Sequence, residues 1–66
     1  MNYTDGAKIV LDRLSLQCDP ERMEQIQEIA ELLAMRDRTM VTKNLVESAA
    51  MAAGIEFVEV EHVDGI

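Results

Sequence analysis

Three places in this chain carry residue types that could do chemistry. Glu61-His62 sets a carboxylate beside the sole histidine, the pairing used in general acid–base catalysis. Cys18, the sole cysteine, stands directly before Asp19-Pro20-Glu21, and a helix start is a place where a thiol can become reactive. Glu21, Glu24, Glu28 and Glu31 recur at intervals of three, four and three. On a helix that spacing stacks them along one stripe, where like charges repel. Such a stripe is a solvated face, a cation site or a docking surface for a basic partner.

The catalytic readings are weak on physical grounds. Neighbours i and i+1 in a strand point to opposite faces, so Glu61 and His62 would not share a site. Asp19 and Glu21 oppose an anion at Cys18, which fits a buried or tolerated thiol better than a nucleophile. Gly6, Gly54 and Gly65 are scattered, with no phosphate-cradling loop. A chain of 66 residues has little room for a pocket of about 300 Å3. We therefore expect no enzyme activity. One Cys and one His cannot supply the four ligands of a usual structural zinc site, and the glutamate stripe lacks calcium-loop spacing. No metal and no cofactor are expected.

Charge gives the stripe more meaning. The formal net charge is −7. Residues 1–18 and 39–54 are neutral, residues 19–38 carry −3 and residues 55–66 carry −4. Such a field repels nucleic acid and anionic membrane and favours basic surfaces. The leading expectation is a small acidic protein–protein interaction module, a regulator or inhibitor that docks on a basic partner. Its contact residues would be Glu21, Glu24, Glu28, Glu31 and Met35 on the second helix, with Phe57, Glu59 and Glu61 in the C-terminal segment. Exposed methionines (Met35, Met40, Met51) would serve as adaptable apolar anchors.

Two alternatives stand beside it. Three helices with a short break could form a dimeric helix-turn-helix transcription regulator, with Arg36, Arg38, Lys43 and Asn44 toward DNA. The third helix would then show Met40, Lys43, Asn44, Glu47 and Met51, a poor reader of bases and phosphates. Alternatively the carboxylates imitate nucleic-acid phosphates as a decoy, although Arg22 and Arg36 interrupt the acidic face.

These residues need elements to position them. Thr4 or Asp5 caps a first helix over about 5–16, with Ala7, Val10, Leu11 and Leu14 on one face. Ile9 and Leu16 lie nearly opposite, so this helix is apolar on two sides. Asp19-Pro20-Glu21 starts a second helix over about 20–36, since Asp caps, Pro fits the first position and Glu suits the dipole. Met23, Ile26, Ile29, Ala30 and Leu33 form its apolar side, and Arg36 and Arg38 suit its end.

After the polar break Arg36-Asp37-Arg38-Thr39, Asp37 or Thr39 caps a third helix over about 40–53. Val41, Leu45, Ala49, Ala52 and Ala53 form its wide face. Gly54 ends it in the left-handed conformation, and Ile55 folds back on the last turn. Residues 55–63, IEFVEVEHV, are rich in β-branched and aromatic types and suit a strand or extended arm. Such a strand lacks a partner unless residues 1–4 supply one, or a second copy pairs with it.

The expected architecture is one small, mainly α domain over residues 1–66: three short helices, then an acidic strand or tail at 55–66, paired across a homodimer. The expected core is Val10, Leu11, Leu14, Met23, Ile26, Ala30, Leu33, Leu45, Ala49, Ala52 and Phe57. A free thiol and an N-terminus without a basic leader suit the cytoplasm, and no apolar run reaches the ~20 residues of a membrane span.

Overall fold

Thr4 opens the first helix. Its hydroxyl accepts the Ala7 N–H at 3.2 Å, and Asp5 then occupies the first turn, where a negative charge meets the positive end of the dipole. In the computed structural model, which describes residues 2–55, α1 spans Asp5–Ser15, α2 Pro20–Asp37 and α3 Lys43–Ala52. The mainly α, three-helix expectation is met. The expected strand at 55–63, with Phe57, Glu59 and Glu61, lies outside the described residues apart from Ile55.

The start of α2 follows the sequence closely. The Asp19 carboxylate accepts the Arg22 N–H at 2.8 Å and Pro20 takes the first helical position. Its end is less expected. Arg38 adopts the left-handed conformation at φ 56° and ψ 50°, a role that glycine usually fills. Thr39 N–H then reaches Ala34 O at 3.0 Å and Arg38 N–H reaches Met35 O at 3.2 Å, closing the carbonyl end of the helix.

The third helix starts later than expected, at Lys43 rather than about 40. Thr42 is its cap, accepting the Leu45 N–H at 3.3 Å, not Asp37 or Thr39. The reason is that Val41 is used elsewhere. Val41 N–H donates to Asn2 O and Thr4 N–H donates to Val41 O, both at 3.0 Å, forming a parallel bridge between Tyr3 and Val41. Residues 2–4 therefore do act as a pairing segment, but their partner is the α2–α3 connection. At the far end, Gly54 at φ 88° closes α3: Gly54 N–H meets Met51 O at 3.0 Å and Ile55 N–H meets Ala50 O at 2.9 Å. Ile55 packs on the core, as expected.

α3 packs against both other helices, while α1 and α2 touch each other least. The buried core contains Val10, Leu14, Ile26, Ala30 and Ala49, all expected. It also contains Ala7, Ala34, Val41, Val46 and Ala50, which the expected core omits. Four expected members, Leu11, Met23, Leu33 and Leu45, are only half-buried, and Ala52 is exposed. The physical reason lies in α3. A helix seated on two neighbours buries the narrow side that lets both backbones approach, here Val46, Ala49 and Ala50. Leu45 is left at the edge and Ala52 outside.

Candidate partner-binding surface

The glutamate stripe is split by the fold. Glu21, Glu24 and Glu28 are exposed on α2. Glu31 is half-buried and accepts a hydrogen bond from the Tyr3 hydroxyl. Burial, the hydrogen bond to Glu31 and the Glu31 charge push the Tyr3 phenol up to about 12. Glu31 therefore belongs to the joint between the N-terminal segment and α2. It stands apart from the exposed Glu21, Glu24 and Glu28.

Met35 is 63% exposed, as expected of an anchor, and Leu32 is 65% exposed. Glu24, Glu28, Leu32 and Met35 follow one another at steps of four, four and three, so they share the side of α2 turned away from Ile26, Ala30 and Ala34. Sequence reasoning missed Leu32. The signal was present: Leu32 fits neither the Ile26–Ala30 row nor the Met23–Leu33 side, so it had to face outward.

The two arginines expected to interrupt the acidic face have other engagements. The Arg22 guanidinium donates to Ala53 O at 2.9 Å, tying the start of α2 to the end of α3. It supplies a donor and a positive charge to a helix C-terminus that has no basic residue of its own in its last turn. Arg36 Nε lies 3.1 Å from Asp37 Oδ1 in an exposed pair. Both arginines stay exposed, so α2 carries them beside its carboxylates.

Two open clefts border this face. One, of about 640 Å3, lies between α1 and α2 and is lined by Lys8 and Leu11 on α1, Gln27 and Glu31 on α2, and Asn2, Tyr3 and Met40. The other, of about 490 Å3, brings Met35 and Met40 together with Ala34, Arg38, Thr39 and Asn2. Both are wide open to solvent, shallow depressions of the surface rather than enclosed pockets. Met51, also exposed, belongs to α3 and lines neither cleft.

The residues of the DNA-binding alternative are spread over three settings. Arg36 is paired with Asp37, Arg38 forms the left-handed cap, and Lys43 and Asn44 open α3. The start of α3 crowds α1, since a Cβ at Gly6 would lie 3.4 Å from the Lys43 Cβ. Cys18 is a free, half-buried thiol packed on the core. Among the described residues no three His, Cys, Asp or Glu side chains gather as a metal site, and no helix is long and apolar enough to cross a membrane.

Fold and surface together define a small three-helix protein with its N-terminus clamped across the α2–α3 connection and an acidic, apolar-tipped outer helix. Compared with protein-family models, curated proteins and solved structures, the chain matches none.

Proposed function

We propose that this protein is an acidic interaction module that docks on a basic protein surface through the outer face of α2. The observation that carries the reading is the exposed Leu32–Met35 pair continuing the row of Glu21, Glu24 and Glu28. Leu32 and Met35 stand one helical turn apart beside the carboxylates, which matches an interface with an apolar centre and a charged rim. The rim charges steer a basic partner and set salt dependence, and the apolar pair supplies desolvated contact. Met40 extends the apolar contact across the adjoining cleft. The acidic C-terminal segment with Phe57, Glu59 and Glu61 belongs to the same proposal on its sequence alone, and so does self-association as a homodimer.

The test is capture of partners from a lysate at low and high salt, by the wild type and two variants. Leu32→Ser combined with Met35→Ser should abolish capture. Glu24→Gln combined with Glu28→Gln should weaken it and flatten its salt dependence. Unchanged capture by both variants would remove the α2 face from the function. Recovery of duplex DNA, lost on Arg38→Ala and Lys43→Ala, would move the assignment to the transcription-regulator reading.

A further inference from the structure

Among the described residues nothing covers the second apolar side of α1. Ile9 is 53% exposed and Leu16 is 87% exposed, although both are large aliphatic residues. They stand seven residues apart, two helical turns, and Leu16 keeps right-handed helical dihedrals at the cap, so both side chains lie on one line along the outer surface. At about 100° per residue, Asp12 and Arg13 fall about 50° to either side of that line. Both are exposed, and among the described residues neither takes part in an ion pair. α1 also lies in a neutral stretch, residues 1–18, of a chain whose net charge is −7.

We infer that this stripe is the contact with a second copy of the chain, the two α1 helices running side by side in the same direction about a two-fold axis. In that arrangement Ile9 meets Ile9 and Leu16 meets Leu16 of the other copy. Residues on the left of one stripe face residues on the right of the other, so Arg13 of each copy lies beside Asp12 of its mate. The stripe is therefore complementary to itself, as a two-fold interface must be. An antiparallel arrangement would set Arg13 against Arg13 and Asp12 against Asp12, and is disfavoured. Local neutrality favours this occupant here: two copies that each carry −7 repel less through α1 than through α2.

The inference deepens the homodimer part of the proposed function by giving it a surface. It leaves the α2 face open, so partner docking and dimerisation can fail separately. A stable interface buries roughly 800 Å2 per partner, more than two turns of one helix offer, so the dimer is weak, with Kd between about 10 μM and 1 mM.

Sedimentation equilibrium of the full chain across that range is the test, with circular dichroism melts as a fold control. Leu16→Glu should weaken association at least tenfold. Asp12→Arg alone and Arg13→Asp alone should each weaken it, and D12R/R13D together should restore it. Failure of the double variant to recover would overturn the parallel register. A wild-type dimer indifferent to Leu16→Glu would overturn the α1 surface while leaving a homodimer standing. A chain monomeric at about 1 mM would overturn the inference entirely, leaving the C-terminal segment or another protein as the cover of the stripe.

Discussion

Tyr3 joins three parts of the molecule. Its hydroxyl donates to Glu31 on α2, and its backbone neighbours Asn2 and Thr4 hold Val41 ahead of α3. Tyr3→Phe should cost about 1 kcal/mol in urea unfolding, because half-buried Glu31 loses its donor. The phenol is raised from 10.0 to about 12, so the folded protein favours its neutral form. That stabilisation is fully present below about pH 10 and is lost as pH rises toward 12. Tyr3 is the sole tyrosine and the chain has no tryptophan, so tyrosinate absorbance reports this one group. Titration near 10.0 in the folded protein would show that the phenol is neither buried nor in contact with Glu31. The two left-handed residues make an opposed pair. Arg38 pays a steric penalty that Gly54 avoids. Arg38→Gly should raise unfolding stability by up to about 1 kcal/mol, and Gly54→Ala should lower it by about 1 kcal/mol. Equal effects of the two substitutions would contradict these caps.

At the scale of the element, α2 holds its charge against its own interest. Glu24 repels Glu21 and Glu28 at three- and four-residue spacing, costing about 0.2–0.5 kcal/mol per pair. Glu24→Gln with Glu28→Gln should therefore raise the urea midpoint at low salt, with the gain shrinking as salt screens the repulsion. Glu21 is left in place because it favours the positive helix end, and Glu31 because Tyr3 needs it. A variant that gains stability and loses partner capture would show carboxylates kept for binding. The start of α2 was legible because Asp19-Pro20-Glu21 acts through local chemistry alone. The start of α3 was not: Met40 and Val41 have helix-compatible side chains, and pairing with the distant residues 2–4 holds Val41 out of the helix, ahead of the Thr42 cap.

For the whole molecule, smallness sets the tone. A chain of 66 residues has total stability on the order of 3–10 kcal/mol, and its core leans on alanines at the helix crossings. Ile26, fully buried, is one of its few large core side chains. Ile26→Ala should cost about 2–4 kcal/mol, enough to leave a measurable unfolded fraction by circular dichroism at 25 °C. If the variant melts like the wild type, the packing around Ile26 is wrong. α1 and α2 meet least, and the first cleft lies between them.

The residue sequence by itself determined what local chemistry controls: the Asp19 and Gly54 helix boundaries, a first cap at Thr4 or Asp5, the apolar row Val10–Leu14, the outward Glu21, Glu24 and Glu28, and the exposed Met35. Tertiary structure alone decided which apolar residues are covered and which charges are free. Glu31 and Leu32 are adjacent in sequence, yet one is drawn into a hydrogen bond with Tyr3, 28 residues away, and the other is left in solvent. Arg22 is tied to the end of α3 because a carbonyl 31 residues distant accepts a hydrogen bond from its guanidinium. Periodicity specifies the side of a helix on which a residue sits, but burial depends on what stands opposite. That is fixed only when three helices and a clamped N-terminus are packed at once.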